Sequence, residues 1–145
     1  MKLLPLATFA LVFAVAHAQA GGPVAPSGWN GSNEPVYPNG QQCCIPADLT
    51  GSSLIGGAAV LLSDNKKKFA VFAITYASVK GTPREAWHLL ETHPANHLTL
   101  YTISVLPATG RQLPKVQVCK AQSSCHLYAW SRTRGSFRKV AGVGE

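Results

Sequence analysis

From residue 57 onward, short apolar runs are separated by clusters of turn-forming residues. Residues 58–63 and 69–76 are two such runs joined by Asp64-Asn65-Lys66-Lys67-Lys68, the pattern of a hairpin whose turn carries three lysines. In the second run, Phe69, Val71 and Ala73 fall on one face of a strand, and Ala70, Phe72 and Ile74 on the other. A strand apolar on both faces is central and covered on both sides, here by a helix and by the N-terminal segment.

Thr82-Pro83-Arg84-Glu85 offers a capping threonine, a proline at the first helical position and a glutamate three residues after the cap. Ala86, Leu89, Leu90 and His93 then follow the i, i+3, i+4, i+7 rhythm, with Trp87 beside them, until Pro94 stops the run. The spacing predicts one amphipathic helix over 82–93. It places His88 on the exposed helix face and His93 at the helix C-terminus, where a positive charge is favourable. Residues 98–106, 115–120, 126–131 and 136–140 are short runs rich in β-branched or aromatic residues, bounded by Gly, Pro and Ser clusters. Consecutive strands with short turns pair antiparallel. The expected fold is a single α+β domain: a β-hairpin, then one α-helix packed on an antiparallel sheet of five or six strands, with no internal repeat.

The N-terminal part reads differently. Lys2 precedes an apolar stretch over 3–16, and Ala16-His17-Ala18 and Ala18-Gln19-Ala20 both present small residues where a signal peptidase cuts. Residues 1–20 are therefore expected to be a secretory signal peptide, residues 21–42 a Gly-, Pro- and Asn-rich arm, and residues 43–145 the folded domain. Asn30-Gly31-Ser32 is an acceptor triplet for N-glycosylation in that arm. The 145-residue chain is 46% apolar and 13% charged, a composition that supports a packed core and excludes a disordered or fibrous protein. After residue 20 no apolar run approaches the roughly 18 residues of a transmembrane helix.

Secretion gives the cysteines meaning. Cys43, Cys44, Cys119 and Cys125 are an even set in an oxidising compartment, and two disulfides are expected. Joining neighbours Cys43 and Cys44 requires a strained ring, which favours pairing Cys43 and Cys44 with Cys119 and Cys125, in either order. Such a bridge closes a loop of roughly 75–80 residues, worth about 4–5 kcal/mol on the loop-entropy model. No paired C-x2-C spacing accompanies His126 and Cys125, so neither a metal nor any other cofactor is expected.

Charge is the most uneven feature. Without the leader, 12 Lys and Arg face 6 acids, yet between Thr92 and Gly144 there are seven basic residues and no acid. Arg132, Arg134, Arg138 and Lys139 bracket one turn, with Tyr128, Trp130 and Phe137 on the flanking strands. Arginines interleaved with aromatics suit an anionic polymer such as RNA, a glycan or lipid head groups, and equally a protein surface.

The histidines are the second candidate set. An antiparallel sheet with one helix, two disulfides and histidines near strand ends is similar to the secreted guanyl-specific and ribotoxin-like ribonucleases. That resemblance covers the element order over 82–140. It implies a glutamate and a histidine sharing acid and base work with an arginine on the phosphate, and places His97, His126 and Arg111 in the roles of histidine pair and phosphate clamp. The missing carboxylates over 93–144 depart from the family, which carries a strand-borne glutamate after the helix. Glu85 and Glu91, six residues apart, diverge on a helix, so paired-carboxylate glycoside hydrolysis is not expected. No G-x-S-x-G, H-E-x-x-H or phosphate-binding glycine loop occurs. The small size, signal segment and basic charge look like those of the effector or toxin-like proteins that fungi export. The expected function is a secreted, monomeric, basic binding protein engaging a host or competitor protein or an anionic polymer. A metal-independent ribonuclease, or a ribonuclease-like fold without catalysis, is the alternative, and a surface-coating protein a weaker one.

Overall fold

The computed structural model describes residues 25–30, 44–121 and 124–140. The expected signal peptide, most of the arm and Cys43 lie outside them.

Among the described residues there are nine strands and one 3-10 helix. Strands β1 (Trp29–Asn30), β2 (Cys44–Ala47), β3 (Gly56–Ser63), β4 (Lys68–Val79) and β5 (Thr82–Pro94) form a first antiparallel sheet. β1 and β2 share one edge of β3, while β4 and then β5 follow on its other side. The 3-10 segment Ala95–Leu100 carries the chain across to a second sheet. There β6 (Tyr101–Leu106), β7 (Lys115–Lys120), β8 (Ser124–Ser131) and β9 (Ser136–Val140) pair in sequence as a meander.

The two sheets share one core. Ala58, Val60, Phe69, Val71 and Ala73 of the first pack against Tyr101, Ile103, Val116, Val118 and Tyr128 of the second, with Leu49 between them. On the far side of the first sheet, Leu61, Ala70 and Phe72 are covered by Ala25, Trp29 and Trp87. Trp29 and Trp87 each meet the Phe72 ring edge-on at 5.5 Å. β4 is thus buried on both faces, as its unbroken apolar run requires, and the N-terminal segment supplies one of the covers.

The architecture corrects the expected α+β fold. The hairpin over β3 and β4 forms, and so do the four later strands, but they belong to two sheets and not to one sheet of five or six strands. Among the described residues no α-helix covers them. Residues 82–93 are strand β5, paired with β4 from Thr82↔Val79 to Pro94↔Lys68. A two-residue turn, Lys80-Gly81, with positive φ at both positions (50° and 77°), joins β4 to β5; this is the turn whose twist suits a hairpin. Pro83 is tolerated because β5 is an edge strand among the described residues, where no further strand would receive its missing N–H.

The helical rhythm has a specific source. The β4–β5 register shifts between Val71 and Phe72, whose partners are Glu91 and Leu89, so Leu90 is an extra, bulged residue. Inward-facing positions therefore run Ala86, His88, then Glu91 and His93, with Leu90 also packed against the shared core. A period-2 strand with one inserted residue matches a 3.6-residue stripe over a dozen positions. Leu89, counted in that stripe as apolar-in, is 57% exposed.

The disulfide pattern is corrected as well. Cys119 on β7 is bonded to Cys125 on β8, its direct cross-strand partner, with Cα atoms 4.0 Å apart. This pairing overturns the long-range bridges to Cys43 and Cys44. Cys43 and the side chain of Cys44 fall outside the described residues.

Candidate functional site

The two faces of β8 carry two different polar assemblies. Side chains of His126, Tyr128 and Trp130 alternate with those of Leu127 and Ala129 along this strand, as the two-residue period dictates.

On the inward face, His126 and Tyr128 meet Glu91 of β5. The Glu91 side chain, only 7% exposed, accepts hydrogen bonds on Oε1 from His126 Nδ1 and from the Tyr128 hydroxyl, both at 2.6 Å. Its Oε2 accepts from His93 Nε2, also at 2.6 Å. The other His93 nitrogen, Nδ1, lies 3.0 Å from the Tyr101 hydroxyl, and the two rings stack with centroids 4.2 Å apart. Burial alone would raise the Glu91 carboxyl; the hydrogen bonds from Tyr128, His93 and His126 and the charge of His126 outweigh it and hold it below the ordinary carboxylate range. Burial, reinforced by the Glu91 charge, pushes the Tyr128 and Tyr101 hydroxyls up.

These contacts fix tautomers. A carboxylate can only accept, so each imidazole nitrogen facing it carries a proton. In neutral His93, Nδ1 then accepts from Tyr101, and both ring nitrogens are engaged. In neutral His126 the lone pair sits on Nε2, which has no hydrogen-bond partner among the described residues, and the side chain is 39% exposed. An imidazole oriented through Nδ1 by a buried carboxylate, with Nε2 open, is arranged as a general base. Among the described residues no group of three His, Cys, Asp or Glu is placed to hold a metal ion. In the Glu91 cluster the two imidazoles oppose different oxygens of one carboxylate.

On the outward face lies a groove of about 540 Å³. Leu127, Ala129 and Val140 form an apolar floor, and Arg111, Lys115, Arg132 and Arg138 stand around it; Trp130 also lines it, although its ring packs on the other face against His88 and Phe137. Gln112 and Leu113 of the β6–β7 loop complete the wall, and no carboxylate lines it.

The predicted residues divide between these assemblies. Arg132, Arg138, Trp130 and Arg111 come together at the groove. Arg134 is exposed in the turn between β8 and β9. Tyr128 is buried beneath Glu91, and Lys139, its register partner, shares that opposite face and is exposed. Asn30 closes β1, and nothing further of its side chain is described. His97 sits in the 3-10 segment, and Arg111 lies across the sheet from the His126 ring, so the trio of His97, His126 and Arg111 is not one constellation.

Two other histidine placements are corrected. His88 is not on an exposed helix face: it points inward, bonded through Nε2 to Thr75 Oγ1 at 2.9 Å and edge-on to Trp130 and Phe137, and burial lowers its pKa. His93 caps no helix. Glu85 faces the opposite way from Glu91, accepting from Tyr76 at 2.8 Å and from Trp87, so the two carboxylates diverge on a strand as well. Burial and this bond to Glu85 push the Tyr76 hydroxyl up to about 12.

Reading the sequence as a helix hid the roles of Glu91, His93 and Tyr101. The available signal is the spacing: Glu91-Thr92-His93 and His126-Leu127-Tyr128 are both i, i+2 pairs, which share one face of a strand. Comparison of the chain with protein-family models, with curated proteins and with solved structures finds no match.

Proposed function

We propose that this chain is an exported, monomeric, basic binding protein of the effector or toxin-like kind, and that it engages an anionic polymer through the outward face of its second sheet. The observation that carries this reading is the groove in which three arginines and a lysine surround an apolar floor with no carboxylate among the lining residues. Cations gathered without a neutralising partner repel one another, and the arrangement is relieved when an anion enters. Guanidinium groups grip phosphate or sulfate oxygens in pairs, and the apolar floor accepts the body of a sugar or base. No helix among the described residues is long and apolar enough to cross a membrane.

The test is binding of a single-stranded RNA 12-mer and of a sulfated glycan over a salt series. Each displaced phosphate counterion contributes roughly 0.7–0.9 to the slope of log affinity against log salt. The triple variant Arg111→Glu, Arg132→Glu, Arg138→Glu is expected to lose at least tenfold in affinity and about two units of slope for one of the two polymers. A folded triple variant with unaltered retention of both removes the groove from the binding surface. A protein partner as ligand would appear as binding insensitive to salt and to both polymers.

A further inference from the structure

Resting on the reading of the outer groove as a polyanion site, we propose that its ligand is an anionic polysaccharide, a chain of sugars bearing sulfate or carboxylate groups, and not a nucleic acid. The groove has no stacking platform. The aromatic side chains of the second sheet, Tyr101, Tyr128, Trp130 and Phe137, are engaged on its inner side. Tyr101 and Tyr128 are buried in the shared core, Phe137 packs against it, and the Trp130 ring meets His88 and Phe137 edge-on at 5.4 and 5.1 Å. None is left to stack an unpaired base, the contact from which single-stranded nucleic acids draw affinity whatever their sequence. A duplex, whose phosphates run along a convex rod, does not enter a concave groove of about 540 Å³.

Sugars ask for a different surface. A pyranose ring has C–H groups on its faces and hydroxyls around its edge, which suits the aliphatic floor of Leu127, Ala129 and Val140 ringed by hydrogen-bond donors. Gln112 adds to those donors: its Oε1 accepts from Lys115 Nζ at 2.8 Å, which leaves its amide N–H groups to meet a sugar hydroxyl. The guanidinium groups take sulfate or carboxylate oxygens in forked pairs.

The cations are also fixed in advance. Arg111 sits on a tight turn closed by two backbone hydrogen bonds between Thr109 and Gln112, of 3.2 and 2.9 Å, with Gly110 at φ 56°. Lys115 is held by Gln112, as above. Arg132 leans on the loop after β2: a Cβ added at Gly51 would fall 3.1 Å from Arg132 Nη2 and 3.0 Å from Leu113 Cδ2, so the guanidinium and the groove wall both pack on that glycine. The loop is fastened by the Asp48 carboxylate, which accepts the N–H groups of Thr50, Gly51, Ser52 and Ser53. Asp48 is thereby occupied, and among the described residues no carboxylate forms an ion pair with Arg132. Cations held in place lose little entropy on binding, and they match a chain stiffened by its sugar rings better than a flexing single strand.

The experiment measures binding to the full chain, at physiological salt, of a heparin-type sulfated hexasaccharide, a galacturonate hexamer and a single-stranded RNA 12-mer. A desulfated, carboxyl-reduced hexasaccharide is the neutral control. At least one anionic glycan is expected to bind about tenfold or more tighter than the RNA, and the neutral control to bind at least about tenfold more weakly than that glycan. The sulfated and carboxylated arms tell which anion the arginines hold. The triple variant Arg111→Glu, Arg132→Glu, Arg138→Glu should weaken the preferred glycan by at least about tenfold. RNA bound as tightly as both glycans and released by the triple variant overturns the polysaccharide, while the groove stands as a polyanion site. A neutral control bound as tightly as its charged parent overturns it too. Binding of no polymer, or binding untouched in the folded triple variant, overturns the groove reading and the polysaccharide together. The ranking of probes is read on the wild type, so it decides the preference even where the triple variant does not fold.

Discussion

The two sheets are built to different plans. In the first, β3 and β4 are buried on both faces, the inner one against the second sheet and the outer one beneath Trp29 and Trp87. In the second, the inner face is the apolar half of the shared core, while the outer face is mixed: Thr102 is exposed, Ser104 and Gln117 are half-buried and bonded to each other, and Leu127 and Ala129 floor a basic groove. Burial on both faces concentrates cohesion in the first sheet. The second stays attached by one face, which frees the other, and its rim, to meet something outside the chain. Scaffold and proposed contact surface are thus separated by sheet.

This contrast can be broken by measurement. Phe69→Ala, at a fully buried position in the first sheet, should cost about 3–5 kcal/mol in urea unfolding, whereas Gln117→Ala on the outer face of the second should cost less than about 1 kcal/mol. Comparable losses at both would show that cohesion is shared evenly. Glu91→Gln, which weakens charged hydrogen bonds linking the sheets, should cost about 1.5–3 kcal/mol at neutral pH. The sign of its pH dependence follows from the lowered carboxyl: folded Glu91 releases its proton more readily than the unfolded chain does, so its contribution is complete above the ordinary carboxylate range and is lost as pH falls through the lowered value. Acid melting curves of the wild type should therefore fall more steeply than those of Glu91→Gln; parallel curves would sink the assignment. Last, replacing Cys119 and Cys125 together by alanine should cost only about 2 kcal/mol, because the ring they close is short, with a sequence separation of 6. A much larger loss would point to a role beyond closing that ring.

Much of this was legible in the order of residues, and the failures have physical reasons. The β3–β4 hairpin and the strands β6 to β9 follow from apolar runs punctuated by turn formers, because each is decided by neighbours along the chain. Strand β5 was misread because one bulged residue, Leu90, moved a two-residue alternation into step with a helical one, and because Thr82-Pro83 imitates a helix start just after a Lys80-Gly81 hairpin turn. Local hairpins also do not reveal where one sheet ends and the next begins; that division falls at the 3-10 segment, which has no buried residue to mark it. Of the candidate sites, the arginine cluster was visible as a run of sequence without acids, whereas the Glu91–His126 pair joins residues 35 positions apart on different sheets. Its discovery needed β5 to be a strand with Glu91 and His93 on one face. The short bridge between Cys119 and Cys125 was missed because pairing across a two-strand turn depends on register, which cysteine spacing does not disclose.

The bulge at Leu90 and the proline at Pro83 also bear on how this molecule behaves among copies of itself. β5 is a thirteen-residue border strand, long enough to recruit a neighbour's backbone and seed extended ribbons. A proline near one end removes a donor from that border, and the inserted residue near the other twists it out of line, so a second chain cannot zip along its length. The irregularity that disguises the strand in the sequence also disfavours backbone pairing along its outer edge.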